Sequence, residues 1–441
     1  MDRFLGAQGA RGTGNVSPCH PLINLDRIDQ YFPMDRDLIP AAEACRILGI
    51  SAATLYAYVS RGLLESRPGQ DHRSRVYRRQ DVERLAQRKR LGRGPARGAA
   101  QSLDRGLPVL ETRISLIRPD GPYYRGRSAV AAAQAGATLE DIARLLWDCG
   151  SQDPFADPPG DWPARVAPLA TDAELPPLSR AMAAIPLLAL HVPHSFQADQ
   201  PTRRAVAATL LRQNAALLVA QRPAGPVHRL LGEAWRPGDA GFAGLVRAAL
   251  VLCADHELNV SAFAARVVAS TGAHLHATVC AGLAALSGPR HGGATARAYA
   301  LVESARGSTN IDRFIAKRWQ LGEDLPGFGH ALYPDGDPRA ATLLAMLRAT
   351  PADAEAMATL EAVIAAAEVA SGRRPNVDFT LAAICFAHGL PAAPALSMFA
   401  AGRLAGWLAH ALEQQAQGQL IRPRASYTGL QPEADADVAH D

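Results

Sequence analysis

Past residue 106 the apolar residues of this chain recur every three or four positions, a period that restricts the fold to packed helices. The clearest instance begins at Thr138, where a Thr-x-x-Asp cap (Thr138, Asp141) precedes Ile142, Leu145 and Leu146 at helical spacing. Residues 395–416 carry Leu396, Phe399, Leu404, Trp407, Leu408 and Leu412, a second amphipathic helix that ends near Gly418. One β signal interrupts the pattern. Ile114 and Leu116 alternate with their neighbours before Asp120-Gly121, which predicts a small hairpin continuing into Tyr123 and Tyr124. The expected fold class is all-α with a minor β-hairpin. At 441 residues, one large domain plus a smaller one is expected, and 48% hydrophobic with 20% charged residues excludes a disordered, collagen-like or coiled-coil chain. No run approaches about 18 uninterrupted apolar residues, so no membrane partner is expected. The N-terminus lacks a signal-peptide layout, which makes the cytoplasm the expected location. Six cysteines without a CxxC pair read as reduced thiols, not as a disulfide framework or zinc site.

The net charge of +4 conceals an asymmetry. Residues 37–105 hold 14 Lys and Arg against 7 Asp and Glu, whereas residues 106–441 hold 28 against 31 and the first 36 residues balance. The positive excess therefore sits in one short segment, which points to an anionic partner, duplex DNA first. Within it, Ala41 to Leu48 is expected as a helix, Gly49 as a turn, Ser51 as the cap of a second helix from Ala52 to Ser60, and Gly62 as its stop. Arg67 to Tyr77 is expected as a two-stranded wing with its tip at Pro68-Gly69, followed by a third helix from about Arg79 to Leu91. The stretch from Ala44 to Leu64 resembles the excisionase and mercury-resistance-regulator class of winged helix-turn-helix domains. That resemblance implies DNA binding, with Thr54 and Tyr56 facing a groove and Arg61, Arg73 and Arg75 neutralising phosphates. The same residues also suit a helical interaction module whose arginines are solvated. Ala52, Ala53 and Ala57 offer no base-reading groups, so sequence preference is expected to be weak or led by DNA shape.

The expected organisation is a loose tail over residues 1–36, a winged helix-turn-helix over 37–92, a linker over 93–105, a large helical domain over 106–430 and an acidic tail over 431–441. Residues 151–176, dense in Pro and Asp, are expected as a loop within the large domain.

Four segments of the large domain combine charged or imidazole side chains with glycine or proline. His291 precedes Gly292-Gly293 and an expected helix, where backbone can approach a ligand closely. His330 follows Gly327-Phe328-Gly329, a loop with little side chain to block an extended ligand. Asp378 falls in the first turn of an expected helix running to Phe386, where the helix N-terminus favours an ionised base. Arg403 lies four residues from both Phe399 and Trp407, so it shares their apolar face and needs an anion. His274 and His276 diverge on a helix and lack a carboxylate cluster, so no metal site is expected.

In order along the chain, Tyr123 to Gly126, His256-Glu257, Gly288 to Ala294, Gly327 to His330, Asp337 to Arg339, Pro375 to Phe379 and Arg422 to Arg424 resemble the citrate synthase family, including 2-methylcitrate synthases. The resemblance spans residues 106–430 and implies a fold of large and small helical domains. It implies that His291 hydrogen-bonds the acyl thioester oxygen, that Asp378 removes the adjacent carbon-bound proton, and that His330 polarises the ketone of oxaloacetate. It further implies that His256, Arg339, Arg403 and Arg422 hold oxaloacetate, with Arg422 supplied by the second subunit of a homodimer. Gly327, Phe328 and Gly329 would meet coenzyme A. No cofactor is implied beyond acetyl-CoA or propionyl-CoA as co-substrate. The chain departs from the pattern at Ala331 and Pro334, where relatives are commonly basic and meet the coenzyme A phosphates. Thr295 stands in place of a usual asparagine and Arg290 in place of a frequent leucine, and the region 150–180 is compressed. Two functions are therefore set against each other: a condensing enzyme, favoured by intact His291, His330 and Asp378, and a DNA-binding regulator sensing oxaloacetate or acyl-CoA, favoured by the altered loop and the basic module.

Overall fold

The computed structural model describes residues 38–60, 64–68, 74–79, 81–83, 85, 110–192 and 199–423. The tails over 1–36 and 431–441, the linker over 93–105, Gly69 at the wing tip, and Arg61, Arg73 and Arg424 lie outside the described residues. The chain divides into two compact units, Met1–Ala100 and Gln101–Asp441.

In the first unit, β1 (Leu38–Pro40) leads into α1 (Ala41–Leu48) and α2 (Ala52–Ser60), followed by β2 (Arg67–Pro68) and β3 (Arg75–Arg78). Gly49 ends α1 in the left-handed region at φ 62, and its N–H returns to the Arg46 and Cys45 carbonyls. Ser51 Oγ accepts from the Thr54 N–H at 3.3 Å, which starts α2. The wing pairs β2 with β3, and β1 joins on the other edge of β3 with Ile39 opposite Tyr77, a third strand that the sequence pattern did not announce. Ile39, Ala44, Leu48, Leu55, Leu64, Tyr77 and Val82 form this unit's own core.

The second unit opens with a three-stranded sheet, β4 (Ser115–Arg118), β5 (Gly121–Tyr124) and β6 (Arg127–Ser128), with Arg118 opposite Gly121 at the tight turn. Helices then run α3 (Ala129–Gln134), α4 (Leu139–Leu146), α5 (Ala167–Ala170), α6 (Pro177–Leu188), α7 (Gln200–Leu218), α8 (Val227–Trp235), α9 (Ala240–Cys253), α10 (Val260–Ser270) and α11 (Leu275–Leu286). They continue as α12 (Gly293–Arg306), α13 (Ile311–Gln320), α14 (Pro338–Arg348), α15 (Ala354–Ser371), α16 (Val377–Ala387) and α17 (Ala393–Gln417). Thr138 and Asp141 form a reciprocal capping box on α4. The Pro-rich stretch expected as a loop contains the short α5.

The long helix α17 is the axis of the core. Almost every residue from Pro394 to Leu412 is buried, and α9, α10 and α11 pack along it. Close approach is bought with glycine: the Trp407 ring lies where a Cβ at Gly282 would stand, 2.6 Å away. Helices α12 to α16 pack mainly on one another and meet α17 through α12 and α16. Among the described residues no helix is long and apolar enough to cross a membrane.

Candidate active site

Five separate segments converge. His256 sits in the turn between α9 and α10, His291 in the loop before α12, His330 and Arg339 around the start of α14, Asp378 in the first turn of α16, and Arg403 in the middle of α17. Each is placed by local chemistry. Asn259 caps α10 by accepting from the Ala262 N–H. Asp337 caps α14 through the Arg339 N–H, and Asn376 caps α16 through the Asp378 and Phe379 N–H groups.

The Gly327-Phe328-Gly329 loop serves packing first. Gly327 and Gly329 have φ 87 and 78, and a Cβ at Gly327 would fall 2.7 Å from Phe379 Cβ. Backbone bonds from Asn376 N–H to the Gly327 carbonyl and from Gly329 N–H to the Arg374 carbonyl, both 2.8 Å, tie this loop to the start of α16. The two segments that carry His330 and Asp378 are thereby joined. The Phe328 ring is buried and packs on Phe379 at 4.8 Å, so the expectation of a bare loop open to a ligand is corrected at this side chain.

The imidazoles are held individually. His256 Nε2 meets the Tyr333 hydroxyl at 3.0 Å, and its ring lies edge-on to His330 with centroids 5.3 Å apart. The Leu332 N–H donates to His330 Nδ1 at 3.1 Å, so the neutral ring carries its hydrogen on Nε2; Arg339 Nη2, itself only a donor, lies 3.4 Å from that atom and makes no hydrogen bond to it in this tautomer. His291 Nε2 lies 2.8 Å from Ser261 Oγ, which accepts from Trp407 Nε1–H at 3.1 Å. Burial, reinforced by the Arg403 and Arg339 cations respectively, pushes His291 and His330 down to about 4, and burial holds His256 well below the usual histidine range. All three are neutral at pH 7.

The two buried guanidiniums differ. Arg339 is paired to Asp337 by Nε to Oδ1 at 2.9 Å and Nη2 to Oδ2 at 2.8 Å. Burial opposes its charge, but the Asp337 carboxylate outweighs burial and keeps it cationic. Arg403 is only 1% exposed; Nε donates to the Cys253 carbonyl at 2.8 Å, the group lies 4.7 Å over the Phe399 ring, and Nη1 is buried with no partner. A buried, incompletely satisfied cation is costly unless an anion arrives. Asp378 is the reverse case. Burial pushes its carboxyl up to about 6 against the lowering fields of Arg339, Arg403 and Arg297, so burial and not the helix N-terminus dominates its titration.

Arg422 is not part of this cluster within one chain. It is exposed beyond the C-terminus of α17, beside Glu111, Arg266 and Gln417. In the small unit Tyr56 is 55% exposed and Arg75 is exposed, while the Thr54 hydroxyl is engaged by Ser51 Oγ at 3.0 Å. Sequence reasoning missed Tyr333, Ser261 and Asp255. Their contacts come from 77, 30 and 155 positions away, and no spacing rule signals them. His274 caps α11 by accepting from the Ala277 N–H.

Residues 102–424 match the model of the citrate synthase C-terminal domain, and residues 41–90 match a helix-turn-helix domain. Citrate synthase 2 of Bacillus subtilis (strain 168) is 37% identical over 184 residues, covering 41% of this chain and 50% of that protein. The 2-methylcitrate synthase of Shewanella oneidensis is 32% identical over 194 residues, covering 43% and 52%. The chain thus spans about half the length of the curated relatives it matches. Among solved structures, citrate synthase from Thermoplasma acidophilum, in a ternary complex with carboxymethyl coenzyme A and oxaloacetate, aligns with a TM-score of 0.61 at 24% identity. That alignment covers 77% of this chain and 98% of the other, and it establishes likeness of fold. With a family model matched over most of its length, this chain belongs to the citrate synthase family.

Proposed function

We propose that the protein condenses an acyl-CoA, acetyl-CoA or propionyl-CoA, with oxaloacetate, and hydrolyses the resulting thioester to citrate or 2-methylcitrate and coenzyme A. The observation that carries this reading is Arg403, a buried guanidinium with Nη1 unpartnered, set among neutral histidines beside a carboxyl held near 6. A dicarboxylate keto acid supplies the anion that Arg403 Nη1 lacks in the free protein, Arg339 adds a second cation while Asp337 holds it in place, and His256 adds a polar contact. Neutral His330 directs its Nε2–H at the ketone oxygen. Asp378 removes a proton from the carbon next to the thioester carbonyl, and His291 hydrogen-bonds the enolate oxygen as charge develops there. The new carbon–carbon bond forms at the ketone carbon, whose oxygen becomes a hydroxyl by gaining a proton. Water then cleaves the thioester. A base with a pKa of about 6 suits this task, because it is ionised at neutral pH yet basic enough to compete for a carbon-bound proton. No metal or prosthetic group enters these steps.

We further assign the active form to a cytoplasmic homodimer in which Arg422 completes the partner's site, since its own chain leaves it exposed and away from Arg403. The test is coenzyme A release by purified protein with oxaloacetate and each acyl-CoA in turn. Absence of release with both acyl-CoAs overturns the reading. A second reading, a DNA-binding regulator that senses oxaloacetate or acyl-CoA, is favoured by the separate helix-turn-helix unit with its exposed Tyr56 and Arg75. Oxaloacetate binding without turnover, together with duplex DNA binding, selects it.

A further inference from the structure

The carboxylate immediately before His256 has no part in the chemistry above. Asp255 is fully buried, as is His410 on α17, whose Nε2 lies 3.2 Å from Asp255 Oδ1. Asp255 Oδ2 accepts from the Ser115 hydroxyl of β4 and from the Glu257 backbone N–H at 3.1 Å. That same N–H also points to Ser115 Oγ at 3.1 Å. The Asp255 and Arg403 charges lie close enough to act on each other, and the Asp255 carboxylate helps keep Arg403 cationic.

A buried carboxylate–imidazole contact is by itself weak evidence for stability, since well-packed apolar groups often serve as well. Its location is more telling. Arg403 is flanked on α17 by Gly402 and Gly406, and both glycines admit the end of α9 and the turn that follows. A Cβ at Gly402 would lie 2.7 Å from the Leu250 carbonyl oxygen, and Gly406 N–H donates to the Ala254 carbonyl at 3.0 Å. One helical turn further on, His410 Nε2 lies against Asp255 Oδ1 in that turn, and neither buried atom has another partner among the described residues. Glu257 occupies the left-handed region at φ 56, an unfavourable place for a side chain, and its N–H is held there by Asp255 and Ser115.

We propose that Asp255, His410 and Ser115 are positioning residues for the keto-acid half of the site. They hold the 254–257 turn against α17, so that His256 and Arg403, on different elements, keep one fixed spacing. None touches substrate. The proposal rests on the condensing reading and deepens it.

The experiment compares Ser115→Ala, Ser115→Thr and His410→Gln in the full chain, by calorimetry with oxaloacetate and by steady-state kinetics with both substrates. Loss of the clamp is expected to weaken oxaloacetate binding and raise its KM on the order of tenfold, because small misplacements of binding groups are costly. The KM for acyl-CoA should change less than about twofold, since His291 and Asp378 hang on other segments. Ser115→Thr keeps the hydroxyl and should restore oxaloacetate binding. Variants that bind oxaloacetate like wild type overturn the proposal, as does an equal rise in both KM values with a lowered Tm, which marks general loss of packing. If His410→Gln fails to fold, the Ser115 pair decides. If wild type itself binds no oxaloacetate, the condensing reading falls and takes the proposal with it; if wild type binds and the variants are indifferent, only the proposal falls.

Discussion

Arg403→Met should separate binding from folding. Methionine matches the length of the arginine stem and suits the apolar surroundings of Phe399, so the change removes charge with little change of volume. In the free protein it leaves the Cys253 carbonyl without its 2.8 Å donor, a loss of about 1–3 kcal/mol. Against this it removes a buried cation whose Nη1 has no partner, a desolvation penalty of several kcal/mol. The buried Asp255 carboxylate also loses the Arg403 field, so the terms roughly offset and the melting temperature should stay near that of wild type. Binding behaves differently. Deleting one member of a buried charge pair costs about 2–5 kcal/mol, which corresponds to roughly 30- to 5,000-fold weaker oxaloacetate binding. Calorimetry with oxaloacetate and a thermal melt on the same preparation decide the matter. If the variant binds oxaloacetate within about threefold of wild type, Arg403 is not a ligand for the keto acid. If it melts far below wild type, the guanidinium is a structural anchor and the reasoning fails.

Other outcomes follow from the same structure. Asp378→Asn should abolish coenzyme A release while oxaloacetate binding survives, and loss of that binding in a folded variant would make Asp378 structural. With the base held near 6, wild-type kcat/KM should fall as pH drops through about 6, because the carboxyl must be ionised to accept a proton; a profile flat down to pH 5 contradicts this. The same raised pKa makes the ionised carboxyl a burden on the folded state above that pH, so Asp378→Asn should melt higher than wild type at pH 7.5, and the gap should close below the ordinary carboxylate range. A chain starting at Gly106 should keep condensing activity, and the 37–97 fragment should bind duplex DNA with strong salt dependence; folded but inactive protein, or a fragment indifferent to DNA at low salt, refutes the respective half. Arg422→Ala and His291→Ala, each nearly inactive alone, should recover about a quarter of wild-type activity when co-expressed and freely mixed, since half the dimers then hold one intact site of two. No recovery, with heterodimers confirmed by differential tags, sinks the shared site.

Local signals are legible in the sequence alone. Gly49, Ser51, Thr138 with Asp141, and Gly418 each mark a helix end in the sequence and cap one in the structure, because capping depends on residues three or four positions away. The hairpin around Asp120-Gly121 is legible for the same reason. The glycines of the 327–329 loop were visible, but their purpose was not. Sequence suggests an open surface for a ligand, whereas Gly327 is small because Phe379 packs against it, 52 positions away. His410 was not legible at all. It lies among alanine and leucine on a core helix, and only folding brings Asp255 to its ring.

What the sequence determines by itself is therefore the helical class, the basic character of residues 37–105, and the order of the histidine, arginine and aspartate motifs along the chain. What the tertiary structure decides is how those groups are charged and which of them lack a partner. His291 and His330 are neutral, Asp378 titrates near 6, and Arg403 stays cationic with an open Nη1. Helix period and caps depend on neighbours within one turn, whereas desolvation and Coulomb fields sum over every group nearby, whatever its position in the chain. Arg403 and Asp337 are 66 residues apart in sequence, yet both act on the same carboxylate of Asp378.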